Sequence, residues 1–260
     1  MEFKNFAKDL KDFAEQQKES GKEVKIYRRK EDPFKFFKKL KIDVGLESNK
    51  KIVLQEETKL ELGGVNKNSF SIVHLTHEIE YVEDGKIMLL GLEINELKEL
   101  NVDFGIFVLI GVKQDLTEEV NALLTHLNFI SNGIEGFSIR SIPRRFWCRI
   151  SEKVVKKGFS FEFLGNAIMY LYKEKFKAFI DSIEIFFVNY YADLMKEFIK
   201  LISVTYDQIR EKWKNKIEAW KKKVDCNYDW GCEICPYQVE CNKIKEVLVE
   251  REILDGKIKS

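Results

Sequence analysis

The sequence predicts an α+β fold: a mixed or antiparallel sheet with packed helices, and a helical C-terminal extension carrying a four-cysteine metal loop. Three observations predict it. The β-rich runs KLELGG, SFSIVHL, KIMLLGLE and FGIFVLIGVK follow one another, bounded by Gly, Asn and Asp. The helix-period run FEFLGNAIMYLYKEKFKAF stands between two strand-like runs, RFWCRIS and SIEIFFV. Four cysteines then fall within a short stretch, from Cys226 to Cys241.

Taken in order, the elements divide the chain into three parts: 1–42, 43–190 and 191–260. The first part is a helical N-terminal segment. Phe3, Phe6, Leu10 and Phe13 recur at three- and four-residue steps, the signature of an amphipathic helix, and Gly21 ends it. VKIYRR is a short strand. DPFKFFKKLK opens a helix with Asp32 as N-cap and Pro33 at its first position. The second part is the α+β domain. Between its strands, TEEVNALLTHLNFIS reads as one helix, with Thr117 as N-cap and Glu118 and Glu119 in the first turn. The third part begins as a long helical pattern to residue 225, containing Trp213 and Trp220, and runs into the cysteines. KIKEVLVEREILDG closes it as a short helix, so the cysteine loop is bracketed by helices whose relative angle a metal would pin.

Composition sets the class. Lys plus Arg (44) nearly balances Asp plus Glu (43), for a net charge of +1. That balance argues against a nucleic-acid partner, whose binders are usually strongly basic. No run of eighteen apolar residues occurs, which argues against a membrane, and MEFKNFAKDL is charged and amphipathic with no apolar leader core. The expectation is a cytoplasmic protein. Thiols stay reduced in that compartment, which favours a metal site over two disulfides.

Cys226, Cys232, Cys235 and Cys241 lie in CNYDWGCEICPYQVEC with the spacing C-x5-C-x2-C-x5-C. Four thiolates gathered by local chain reversal suit an iron–sulfur cluster or zinc. Pro236 after Cys235 echoes the Cys-Pro step of bacterial ferredoxins. Zinc ribbons more often carry two C-x2-C knuckles or histidines. The expected cofactor is a [4Fe–4S] cluster, with structural zinc as the alternative. Cys148, in FWCRI, reads as a core residue and not a fifth ligand.

Other chemistry is weakly supported. His74, His77 and His126 are not spaced as a zinc-enzyme motif, and neither a glycine-rich phosphate loop nor a nucleophile elbow is present. Some iron–sulfur nucleases need Glu-x-Lys on a strand. Glu96 and Lys98 supply the residues, but NELKEL reads as helix or loop.

The middle domain resembles the beta subunit of the acetyl-CoA decarbonylase/synthase complex, the acetyl-CoA synthase of CO dehydrogenase systems. The resemblance is carried by Trp147, Arg149, Ile150, Ser151, Lys157 and Gly158 in WCRISEKVVKKG. Further matches are ELGG at Glu61–Gly64, VEDGKI with LGLEINEL across Val82–Leu97, and Asn132, Glu135 and Gly136. It runs collinearly over about residues 43–205. Members of that family bind an active-site cluster through C-x2-C and two further cysteines, and chelate a second nickel with Cys-Gly-Cys. Here Cys232 and Cys235 match the C-x2-C, Cys241 fits a third ligand, and the fourth lies upstream at Cys226. The sequence contains no Cys-x-Cys, so the dinickel centre is not expected.

The resemblance also implies a coenzyme A site near this region. Arg140, Arg144, Arg145 and Arg149 bunch around Trp147 in SIRSIPRRFWCRIS. Guanidinium groups suit phosphates and an indole face suits adenine. The competing reading packs Trp147 in the core and leaves alternate arginines facing water. The expected function is an iron–sulfur accessory or electron-transfer subunit of an anaerobic one-carbon metallo-enzyme system. It would work with protein partners of a metallo-enzyme complex. The alternatives are an enzyme acting on a coenzyme A-linked acyl or methyl group, a zinc-stapled structural subunit, and an iron–sulfur nuclease.

Overall fold

The computed structural model describes residues 4–46, 52–64, 67–113, 116–125, 127–142, 145–189 and 193–201. Those residues form an α+β fold with two mixed sheets. In chain order the elements are α1 (Lys4–Glu19), β1 (Val24–Arg28), α2 (Pro33–Leu40), β2 (Thr58–Gly63), β3 (Ser69–Thr76), β4 (Lys86–Leu90), β5 (Asn101–Val102) and β6 (Phe104–Val112). They continue with α3 (Glu118–Thr125), α4 (Ile130–Gly133), β7 (Phe137–Ile142), β8 (Arg145–Ser151), α5 (Glu152–Lys156), α6 (Phe161–Phe176) and β9 (Ile180–Asn189). Residues 193–201 are helical.

The larger sheet has the order β1-β4-β9-β6-β3. β1 and β4 are antiparallel, β4 and β9 parallel, β9 and β6 antiparallel, β6 and β3 parallel. β6 is buried along its whole length and β9 at all but Asp181, as expected of central strands that read as continuous apolar runs. The smaller sheet has the order β5-β2-β8-β7, with β5 parallel to β2 and the other pairs antiparallel.

α6 lies between elements of both sheets in a single hydrophobic core. Ile183, Ile185 and Phe187 of β9 join Leu164, Ile168 and Leu171 of α6 there, together with Leu62, Cys148 and Ile150 of the smaller sheet. Phe104 stacks toward Phe161, Phe187 and Phe146, linking the sheets through one ring cluster. The start of α6 is set locally. The Ser160 hydroxyl accepts from Phe163 N at 3.1 Å, and the Glu93 carboxylate accepts from Phe161 N at 3.1 Å.

The N-terminal elements follow the sequence reading. Of the expected stripe of α1, Leu10 is buried and Phe13 half-buried, while Phe3 and the side chain of Phe6 lie outside the description; Ala14 and Gln17 extend the buried face, and Gly21 beyond it takes φ 81°. Asp32 caps α2, accepting from Lys35 N at 2.8 Å, with Pro33 in the first turn. β1 is an edge strand of the larger sheet.

Four differences from the expected elements stand out. The single helix expected over 117–131 is broken into α3, a 3-10 turn at Leu127–Phe129, and α4. Thr125 Oγ1 turns back to the Asn121 carbonyl at 3.0 Å, and Asn128 is a weak helix former, so the helix ends there. β5, β7 and α5 have no counterpart in the sequence reading. β5 and α5 are too short to leave a periodic pattern, and β7 is a short alternating run before Pro143. Glu96, by contrast, lies in a turn after β4 as the loop reading of NELKEL expected, paired with Lys25 at 2.7 Å.

Candidate functional site

The arginine-tryptophan region is the outer face of the smaller sheet. Along β8, Phe146, Cys148 and Ile150 are buried, while Trp147 and Arg149 alternate with them and are partly exposed. The register sets their neighbours. Trp147 stands opposite Gly63 on β2 and Arg140 on β7. Arg149 stands opposite Glu61 and Ser138. Arg140 is exposed. Arg145 opens β8 opposite Ile142, and Arg144 lies outside the described residues.

Arg149 is engaged. Its Nε donates to Glu61 Oε1 at 3.0 Å, with both side chains about three-quarters buried. Asn101 Nδ2 approaches the other Glu61 oxygen at 3.5 Å from β5. This row ties three strands together and takes up part of the donor fork that phosphate binding would use. Trp147 is differently placed. Gly63 offers no side chain against it, and its Nε1 is buried with no hydrogen-bond partner. The sequence reading placed Trp147 in a ligand site or the core. The side chain sits at the boundary, half-buried.

The paired glycines after Glu61 have steric reasons. Gly63 and Gly64 take φ 77° and 117°. A Cβ on Gly63 would strike the Phe146 carbonyl oxygen and come within 2.8 Å of Ser69 Cβ.

The other matching motifs also pair with one another. Glu135 accepts from Lys153 at 2.6 Å and from Lys157 at 3.1 Å, and also takes the Asp43 amide at 3.2 Å. Burial pushes its carboxyl up, but the two lysines and that amide outweigh this and hold it below the usual range. In the turn before β4, Asp84 accepts from Ile183 N at 3.0 Å and pairs with Lys173 at 3.0 Å and Arg29 at 3.1 Å. Glu83 pairs with Lys86 at 2.8 Å and with Arg28. Asn189 grips the Leu92 backbone through both its amide atoms, at 2.9 Å each.

Two residues important to this framework were not singled out from sequence. Glu93 receives Tyr27 Oη at 2.8 Å as well as the α6 amide. Glu184, fully buried in β9, lies 3.5 Å from Lys86. A lone carboxylate inside SIEIFFV was the available signal for Glu184. Cys148 is a free, buried thiol, pushed well up by burial, and fits the core role expected of it. His74 lies on β3 and His77 just beyond it. Cys226, Cys232, Cys235 and Cys241 lie outside the described residues, as does His126.

The described residues form a mixed α+β domain whose acidic, basic and glycine motifs pair with one another, and comparison with known proteins gives its family. The family model described as CO dehydrogenase/acetyl-CoA synthase complex beta subunit matches residues 40–194, and the chain belongs to that family. It is 31% identical over 156 residues to the acetyl-CoA decarbonylase/synthase complex subunit beta of Methanopyrus kandleri, covering 59% of this chain and 32% of that protein. The corresponding subunit of Methanothermobacter thermautotrophicus is 29% identical over 180 residues, covering 68% and 36%. The carbon monoxide dehydrogenase/acetyl-CoA synthase subunit alpha of Moorella thermoacetica is 26% identical over 179 residues, covering 68% and 23%. The chain thus spans about a third or less of the length of these relatives.

Proposed function

We propose that the chain is an iron–sulfur accessory or electron-transfer subunit of an anaerobic one-carbon metallo-enzyme system, working in complex with other subunits and without a dinickel centre. One observation carries this reading: the set Cys226, Cys232, Cys235 and Cys241 in a beta-subunit family member whose sequence has no Cys-x-Cys. As a donor set, four thiolates with a Cys-Pro step fit a [4Fe–4S] cluster, and zinc is the competing occupant. The cluster would supply one-electron chemistry. The α+β domain would supply a rigid frame, held by the Glu61–Arg149 and Glu135–Lys157 pairs.

The test is anaerobic purification with metal analysis and a reduced-state EPR spectrum. About four irons per chain are expected from the cluster type. Stoichiometric zinc in their place would replace this reading with the stapled-subunit one.

A second reading is favoured by the register around Trp147. The indole has glycine on one side and the exposed Arg140 on the other. That geometry suits an adenine ring with a phosphate reaching Arg140, as in a coenzyme A-type ligand, with Arg144 and Arg145 as further candidates in sequence. Arg149 would contribute only by sharing its guanidinium with Glu61. Titration of the chain with coenzyme A, following Trp fluorescence in wild type and Arg140→Ala, tests it. Saturable quenching weakened by the variant is expected, and its absence in wild type removes the reading.

A further inference from the structure

β1 ends the larger sheet on one side, and the direction of each of its backbone groups follows from the register. Its pairing with β4 runs from Val24 opposite Leu90 to Arg28 opposite Lys86 without a bulge. Just beyond the two ends of that ladder, Gly91 N donates to Glu23 O at 3.0 Å and Arg29 N to Gly85 O at 2.7 Å. Antiparallel bonding alternates, so Glu23, Lys25, Tyr27 and Arg29 turn their N–H and C=O groups toward β4. Val24, Ile26 and Arg28 turn theirs outward. Among the described residues no strand or loop backbone meets these groups from outside the sheet.

The devices that usually keep such an edge from pairing are thin here. β1 has neither a proline nor a bulge. Its charges are already neutralised within the chain: Lys25 by Glu96 at 2.7 Å, Arg29 by Asp84 at 3.1 Å, and Arg28 by Glu83. Ile26, in the middle of the outward row, is 53% exposed. Only the shortness of the strand, five residues, guards it.

The edge is complementary to itself. Laid antiparallel on a second copy about a two-fold axis through Ile26, EVKIYRR sets Ile26 against Ile26, Val24 against Arg28 and Lys25 against Tyr27. The Ile26 pair and the flanking Val24–Arg28 pairs are those whose backbone groups face outward, so each exchanges both hydrogen bonds. The exposed isoleucines meet across the axis. One step further, Glu23 of each copy faces Arg29 of the other, which puts opposite charges at both ends of the seam. Both side chains reach solvent, 42% and 36% exposed. The next pair out, Lys22 with Lys30, is like-charged, but Lys30 already holds Glu162 at 2.6 Å. A net charge of +1 leaves little repulsion between whole copies.

From this geometry we infer that β1 is a self-association edge: two copies of the chain join β1 to β1 across a two-fold axis and share one continuous sheet. The seam is separate from any metal or coenzyme A-type ligand.

Sedimentation of the full chain at rising concentration tests it. A reversible monomer–dimer equilibrium is expected, with a dissociation constant on the order of 10 µM, because so short a seam buries little surface. Between dilute and associated protein, amide exchange at Val24, Ile26 and Arg28 should slow about tenfold, while Lys25 and Tyr27, already bonded to β4, change far less. Ile26→Pro removes an outward N–H and no bond to β4, and Ile26→Lys sets like charges on the axis. Each should weaken association by roughly tenfold or more with the circular dichroism spectrum unchanged. Ile26→Lys, a change at an exposed side chain, carries the test if the proline variant does not fold. A wild-type chain still monomeric at about 100 µM overturns the inference. So does a dimer that Ile26→Lys leaves intact, since the seam would then lie elsewhere.

Discussion

Gly63 shows how tightly single positions in this frame are set. Its φ of 77° and the Phe146 carbonyl beside it leave no room for a side chain. Gly63→Ala should therefore lower unfolding free energy by about 2–4 kcal/mol, measured by urea denaturation, through steric conflict and a left-handed backbone. The Glu61–Arg149 pair beside it is mostly shielded from solvent, so removing one partner strands the other. Glu61→Ala should cost about 1–2 kcal/mol, and the double variant with Arg149→Met should recover part of that loss. Additive losses in that cycle would show the pair to be uncoupled. Cys148, buried and apart from the four-cysteine set, carries no metal in this picture. Cys148→Ser should leave iron content unchanged, and a fall in iron to a fraction of wild type would contradict that assignment.

Among the elements, the connections carry opposite pH dependences. Glu135 joins the loop after α4 to α5 and Lys157, and its carboxyl is held below the usual range. Its contribution is present above the unfolded carboxylate range and is lost as pH falls through the folded value. Glu184 in β9 is pushed up, by burial first, so its contribution is present at low pH and lost as pH rises through the folded value. Glu135→Gln should flatten the acid limb of a stability-versus-pH curve recorded by denaturant melts. Glu184→Gln should instead raise stability most at neutral pH. Identical pH profiles for wild type and both variants would show that neither group titrates in folding. The same elements show what a sequence can disclose. β6 and β9 were legible because buried central strands read as apolar runs, and α2 because Asp32 and Pro33 mark its start chemically. α5 was not, since its five residues are too few for a helical period, and β7, though it alternates over six residues, merges in sequence with the arginine-rich stretch around Pro143. At the candidate site, the alternation that exposes Trp147 and Arg149 was readable from FWCRI. The capture of Arg149 by Glu61 was not, because it depends on the register between strands 88 residues apart.

For the whole molecule, the proposed role is that of a subunit working in an assembly. Near-zero net charge gives no long-range steering toward a polyanion, and the family is that of a subunit of a larger complex. No helix among the described residues is long and apolar enough to cross a membrane. Without a Cys-x-Cys, incubation with nickel salts should leave the chain free of stoichiometric nickel. It should also show no exchange of CO with the carbonyl of acetyl-CoA; nickel uptake together with that exchange would overturn the proposed role. The proposed contact with partners is the cysteine segment, in whose sequence Tyr228, Trp230 and Tyr237 are interleaved with the thiols. Tyr and Trp dominate interface hot spots because they bury large areas at little conformational cost. They could equally shield a cluster from water and tune its potential. A Tyr228→Ala, Trp230→Ala double variant that retains its iron separates these roles. In a pull-down from anaerobic extract, wild type should capture a metallo-enzyme partner and the variant should lose it. Equal capture by both would assign the aromatics to shielding, read then as a shift in cluster potential, and capture by neither would remove the interface at this segment.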